Sequence, residues 1–130
     1  MSKIKLLKRQ NGRIYLQFQL TLLGTDFCLT VTGGDRSHLG AVAVAQVGES
    51  MIEAGKLTTT VSTITLLGHK EDGMARDLAA RLATAVAANV VVCCGIHLDN
   101  ITPDEIKTVR LMSNEMAGEI IQYVQDLRRA

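Results

Sequence analysis

The sequence predicts an α+β fold of two layers, a single mixed and mostly antiparallel sheet with two helices packed on one of its faces. Three observations carry this. From the N-terminus to about Leu66, apolar residues alternate with polar ones, the period of half-buried strands. Two later segments instead repeat their apolar residues every three to four positions, the period of helices. Between those segments lies Val90 to Ile96, a nearly continuous apolar run that reads as an interior strand. The element order is therefore β-β-β-β-β-α-β-α, and nothing in the composition marks a linker or a repeat, so residues 1–130 are read as one domain.

The clearest strand runs from Arg13 to Leu22. Ile14, Leu16, Phe18, Leu20 and Leu22 point one way, and Arg13, Tyr15, Gln17, Gln19 and Thr21 the other. Asn11-Gly12 before it is a hairpin signal, which pairs Ile4 to Lys8 with it. After a turn at Gly24-Thr25-Asp26, Phe27, Leu29 and Val31 alternate with Cys28, Thr30 and Thr32, and Gly33-Gly34 closes the strand. Ala41 to Val47 and the β-branched Thr59 to Leu66 follow, separated by a weaker stretch, Gly48 to Leu57, that suits a long hairpin loop or a short helical turn. Met74, Leu78, Leu82 and Val86, with Ala75, Ala79 and Ala83 beside them, make an amphipathic helix whose small residues suit close packing on a sheet. Thr102-Pro103-Asp104-Glu105 is a helix start with a capping box and a first-turn proline. Ile106, Val109, Met112, Met116, Ile120, Val124 and Leu127 then form the buried stripe, and Arg128 and Arg129 complement the C-terminal dipole.

Composition excludes several classes. Fourteen Lys and Arg against thirteen acids leave a net charge of +1, without the basic excess that nucleic acid or a membrane surface would demand. Two Phe, two Tyr and no Trp give no base-stacking platform. No apolar run approaches the ~18 residues of a membrane span, and the N-terminus lacks a signal-peptide core, so the cytoplasm is the expected compartment. Cys28, Cys93 and Cys94 have no zinc or redox spacing and read as reduced, buried thiols. GxSxG, P-loop and Rossmann fingerprints are all missing, and Ser37 beside His38 is no triad, because neighbours on an extended chain point apart.

The polar chemistry gathers in three segments, each with a glycine and one of the three histidines: a loop from Gly33 to Gly40, a turn at Gly68 to Asp72, and the segment Gly95 to Asn100. Gly33 and Gly34 suit a nest of backbone N–H groups for an anion, and Arg36 can hold a phosphate or carboxylate through two hydrogen bonds, with Asp35 and Ser37 beside it. The competing reading is a tight turn with a surface Arg–Asp pair. Gly68 and Lys70 open a helix, where free N–H groups favour phosphate, while Glu71 and Asp72 are ordinary first-turn acids. His38, His69 and His97 are too far apart for a local metal motif. If the fold brings them together, within one subunit or across two, they suit a divalent ion, with Asp35, Glu71 or Asp99 adding oxygen. Helices on one face leave the other sheet face in need of solvent or a partner, and a homodimer is expected.

At these same segments, GGDRSHLGAVAVAQ, LGHKEDGMARDLAARLA and VVVCCGIHLDNIT, the sequence resembles the small prenylated-flavin chaperone family, which includes the D subunit encoded with gallate and related hydroxyarylic-acid decarboxylases. The resemblance covers about Leu29 to the C-terminus. It implies a fold similar to proteasome-assembly-chaperone domains, a homodimer, and a carrier of prenylated FMN that serves the large subunit of a UbiD-type decarboxylase without being an enzyme itself. Carried over by matching segment, Gly33, Gly34, Asp35, Arg36, Ser37, Gly68, Lys70 and Asn100 are expected at the cofactor. His38, His69, His97 and Glu71 are expected at a divalent metal that bridges to its phosphate. Ser37 stands where the family carries proline. Two other classes stay open on the residues alone: a small metal-dependent enzyme using the histidines, and a structural assembly factor whose motifs are only turns.

Overall fold

The computed structural model describes residues 3–66 and 72–130. Five strands come first: β1 (Ile4–Asn11), β2 (Ile14–Leu23), β3 (Asp26–Gly34), β4 (Arg36–Glu49) and β5 (Leu57–Thr65). Helix α1 (Asp72–Val86), strand β6 (Val90–His97) and helix α2 (Pro103–Arg129) complete the order. The six strands form one sheet in the order β1-β2-β3-β6-β4-β5, antiparallel except where β6 runs parallel to β3. The expected α+β, two-layer architecture is what forms.

The helices lie on one face. α1 packs over β4, β5 and β6, and α2 over β1 and β2. The alternation that identified the strands sorts them as expected. Leu16, Phe18, Leu20, Leu29, Val31, Val90, Val92 and Cys94 are buried beneath the helices, against Met116, Ile120 and Val124 of α2. Ala41, Ala43 and Ala45 of β4 meet Ala75, Ala79 and Ala83 of α1, all fully buried; small residues on both sides let helix and strand approach closely. The start of α2 is built as the sequence implies. The Thr102 hydroxyl accepts from the Glu105 N–H at 3.1 Å, and the Glu105 carboxylate accepts from the Thr102 N–H at 3.0 Å.

Three expectations need correction. The segment Gly33 to Gly40 is not a loop. Gly33 and Gly34 finish β3, Asp35 alone turns, and Arg36 already belongs to β4. The thiols divide: Cys94 is buried, whereas Cys28 and Cys93 are half-exposed because they fall on the outward phase of β3 and β6. Ile106, placed in the buried stripe of α2 by its spacing, is 40% exposed, since the stripe outruns the sheet at the first turn of this long helix.

The link from β3 to β4 fixes the end of the sheet. β6 lies between these two strands, so the chain must cross its C-terminal end, and it does so in one residue. His97 pairs with Gly34 on one side and with Arg36 on the other, and the Asp35 N–H donates to the His97 carbonyl. Farther along, Ser37 pairs with Ile96 and Ala41 with Cys94, so three residues of β4 bulge opposite Gly95. The crossing needs glycine twice. Gly34 has φ +78°, and a Cβ there would fall on the His97 carbonyl; a Cβ on Gly95 would fall on the His38 carbonyl.

Gly95→Ala is therefore expected to lower stability by about 2 kcal/mol or more, by forcing the bulge off β6. Gly48→Ala, where an added Cβ meets nothing within 4 Å, should stay within about 0.5 kcal/mol of the parent. Urea denaturation midpoints of the two variants check this, and equal midpoints would contradict it.

Candidate functional site

The crossing at the end of β6 brings two of the three polar segments together. Asp35, Arg36, Ser37 and His38 come from the β3–β4 side, and His97, Asp99 and Asn100 from the strand end beside it. The His38 and His97 rings meet edge to face with centroids 5.9 Å apart. Gly68, His69, Lys70 and Glu71 of the third segment lie outside the described residues; α1 begins just after them, at Asp72.

Each side chain has a definable task. Asp35 acts as a strap: its carboxylate accepts from the Asp99 N–H at 2.8 Å and lies 3.7 Å from the Arg13 guanidinium. Asn100 takes φ 54°, a left-handed conformation that asparagine tolerates better than most residues, and so turns the chain from β6 toward the cap of α2. Gly33 and Gly34 are occupied by neighbouring backbone. An added Cβ would strike the Tyr15 carbonyl at one and the His97 carbonyl at the other, so their missing side chains serve strand packing. Ser37 and Arg36 are exposed on β4, and His38 is half-buried.

His97 Nε2 stands 2.8 Å from Asp99 Oδ1 and 3.4 Å from an Arg36 nitrogen. A ring nitrogen cannot donate to a carboxylate and accept from a guanidinium at once. The shorter contact decides: Nε2–H donates to Asp99, and the Arg36 contact is at most weak. The His97 hydrogen bond holds the Asp99 carboxyl below its usual range, with the charges of His97, Arg36 and Arg13 adding to it. Arg36 is left with no carboxylate within ion-pair distance among the described residues. Arg13 differs. It holds both oxygens of Glu105, at 2.7 and 2.9 Å, and also donates to the Asp99 carbonyl at 2.9 Å. One exposed guanidinium here is spent on structure and the other is not.

Arg13 is the residue that sequence reasoning missed. It read only as an outward position of β2, yet it ties the β1–β2 turn to α2 and to the strand end. The signal was in the topology: Asn11-Gly12 ends a hairpin at the same edge where β6 stops and α2 begins. Among the described residues no three His, Cys, Asp or Glu side chains gather as a metal would require. His38 and His97 supply two nitrogens, and any further ligand from His69 or Glu71 lies outside the described residues.

The Arg13 hydrogen bonds, then the Thr102 N–H, draw the Glu105 carboxyl down from 4.5 to about 2. A carboxyl depressed in the folded state favours folding above its unfolded value and loses that effect as pH falls through the folded one. The contribution of Glu105 is thus complete above about pH 4.5 and disappears toward pH 2. In Arg13→Gln the Glu105 carboxyl should titrate partway back toward its ordinary range, the cap remaining, and acid unfolding should begin at higher pH. Carboxyl-carbon NMR titration reads this; a Glu105 carboxyl that still titrates near 2 would refute it.

Against known proteins, the family model described as the prenylated flavin chaperone LpdD-like domain matches residues 10–125. A curated relative, Protein LpdD of Lactiplantibacillus plantarum, is 27% identical over 112 residues, covering 85% of this chain and 77% of that protein. Among solved structures, a chain from a chaperone complex for yeast 20S proteasome assembly superposes with a TM-score of 0.59 at 18% identity, covering 95% of this chain and 98% of its own. That likeness shows the shared two-layer fold. The family match spans the β2–β6 sheet, both helices and every segment of the strand-end site, and the chain belongs to the prenylated flavin chaperone LpdD-like family.

Proposed function

We propose that this chain is an accessory carrier that binds prenylated FMN through its phosphate and passes it to the large subunit of a UbiD-type decarboxylase, without catalysing a reaction of its own. The observation that carries this reading is Arg36. It is a guanidinium on a strand end, beside two imidazoles, with no carboxylate within ion-pair distance among the described residues, whereas Arg13 close by is fully engaged. A phosphate dianion is the kind of group such a fork is shaped to hold. The site also lies at the C-terminal ends of the parallel pair β3 and β6, where open α/β sheets commonly bind ligands. The strand-end glycines contribute by letting the chains cross, not by forming a nest. A divalent metal bridging to the phosphate would use His38 and His97 and would need His69 or Glu71 to complete it.

The reading includes a homodimer. The helix-free sheet face carries Tyr15, Gln17, Gln19 and Thr21 of β2, Cys28, Thr30 and Thr32 of β3, and Val91 and Cys93 of β6. It continues through Val42, Val44 and Gln46 of β4 to Thr58, Thr60, Ser62 and Ile64 of β5, with Val44 41% and Ile64 68% exposed. No charge occurs in that central set; Lys8 of β1, Asp26 at the start of β3 and Arg36 at the start of β4 share the face only at its margins. In a twofold interface the same patch meets itself, so a charge near the axis faces its like; a neutral face is free of that penalty. This favours a second copy of the chain as the covering layer.

Under anaerobic conditions, with prenylated FMN as titrant, Arg36→Gln is expected to lose about 1.5–3 kcal/mol of binding, a fall of roughly tenfold to over a hundredfold. His38→Ala should remove any stimulation by divalent metal while leaving the circular dichroism and melting curve unchanged. If both variants bind cofactor and metal as the parent does, the strand end is not the site. Light scattering should give a dimer for the parent and a monomer for Thr30→Arg at the sheet centre; a monomeric parent at tens of micromolar, a scale typical of transient association, would remove the dimer from the reading.

A further inference from the structure

The sheet has two edges, and they are built differently. β1 carries Lys5, Lys8 and Arg9, charges of the kind that keep an open edge from pairing with another chain. β5, at the other edge, runs LTTTVSTIT over nine residues with no charge and no proline. Its register with β4 is continuous from Leu57 to Thr65, so no bulge twists it away. Leu57 and Ile64 are exposed, and Met51 and Ile52, at the turn that leads into the strand, are almost wholly so.

Two backbone hydrogen bonds fix which groups of β5 are open. The Ser50 N–H donates to the Lys56 carbonyl at 2.7 Å, and the Leu66 N–H donates to the Gly40 carbonyl at 2.9 Å. Each joins residues that stand opposite one another when the β4–β5 register is continued past its two ends. Bonded and non-bonded pairs alternate along an antiparallel ladder. Thr58, Thr60, Ser62 and Ile64 are therefore the residues that bond to β4. Leu57, Thr59, Val61, Thr63 and Thr65 turn their N–H and carbonyl groups to the other side, beyond which the sheet has no strand.

We infer that β5 is a docking edge, where an extended and uncharged segment of the large decarboxylase subunit adds as a further strand; the inference rests on the carrier reading above. Only an extended backbone offers donors and acceptors at the spacing of the open groups, and strand addition draws its affinity from those main-chain bonds. The neutral Thr, Ser, Val and Ile side chains of the edge set the chemistry of that segment, because a charge placed among them would lose water and gain no partner. The location names the recipient. Leu66 bonds to Gly40, in the β4 bulge that brings His38 to His97, and Thr65 stands opposite Ala41 just after it. A chain seated along β5 therefore ends one strand away from the strand that carries Arg36 and His38, where a protein that takes up the cofactor can reach it. The second copy invoked above covers the helix-free face, so edge and face can be occupied together.

Amide hydrogen exchange, read residue by residue, tests this. In the free protein Thr59, Val61 and Thr63 should exchange fast, and Thr60, Ser62 and Ile64 slowly. Adding the large subunit should slow the first set tenfold or more. Thr63→Pro removes one outward N–H and no bond to β4, and an edge strand accepts proline at such a position, so circular dichroism should show the fold intact. This variant should bind the large subunit at least tenfold more weakly, and anaerobic prenylated FMN as the parent does. Should Thr63→Pro unfold, the exchange measurement on the parent decides alone. If the large subunit binds parent and variant equally and leaves the first set exchanging fast, β5 is not the docking edge, and the carrier reading stands. If the large subunit does not bind the parent, the docking edge is overturned, and titration with prenylated FMN decides separately whether the chain is a carrier. If the first set is already slow in the free protein and light scattering shows an assembly larger than a dimer, a second copy fills the edge and the inference falls.

Discussion

The structure depends on one steric constraint: the chain passes from β3 to β4 across the end of β6 in a single residue. Everything at that end follows. Because His97 is bracketed by Gly34 and Arg36, the imidazole and the guanidinium are neighbours by strand register, not by any loop conformation. Because the bulge in β4 lies over Gly95, His38 is delivered to the His97 ring. The Asp35 carboxylate and the Arg13 guanidinium then fasten the outgoing chain, so that α2 starts where its cap needs it. A site assembled on strand ends is held more rigidly than one on free loops, which suits groups that must meet a ligand in a fixed geometry.

The same constraint explains what was legible in the sequence. Strand and helix identities were read from periodicity, which reports the burial of each residue's own side chain, and Arg13 to Leu22 or Met74 to Val86 announce theirs without tertiary knowledge. The boundary at Gly33 to Gly40 was not legible. A glycine pair followed by Asp looks the same whether it makes an anion nest or a one-residue crossing; only the identity of the strand lying between β3 and β4 decides, and that is a long-range fact. The pairing of the first and third polar segments was anticipated from their common pattern of a glycine and a histidine at a strand end. The second, Gly68 to Glu71, lies outside the described residues. The ties of Arg13 could not be read, since they join elements far apart in the chain. Ile106 shows the same limit: its spacing puts it in the core stripe, and only the sheet's limited extent leaves it exposed.

Sheet and helices divide the two faces by size and charge. Beneath α1 the buried side chains of β4 and α1 are alanines, whereas beneath α2 lie the larger Leu16, Phe18 and Leu20. α1 lies mainly on the strands, whereas α2 is shared between β2 and α1. The opposite face has no helix, and its centre carries half-buried threonines and thiols, with Asp26 and Arg36 only at the ends of β3 and β4.

A carrier has to release what it binds, and the proposed site is suited to that. Arg36 is exposed, so the phosphate would be held by a contact open to solvent, which an enzyme with a closed pocket can outcompete. Transfer then needs no chemical step. It requires that a partner present a deeper apolar site and a better-dehydrated phosphate site, so that the cofactor moves down its own gradient of affinity. A general acid or base with a matched, shielded pKa would need the dry, closed pocket that release works against. The acids at the strand end, Asp99 and Glu105, are stabilised in their ionised form by His97 and Arg13, which fixes their charge and shapes the site.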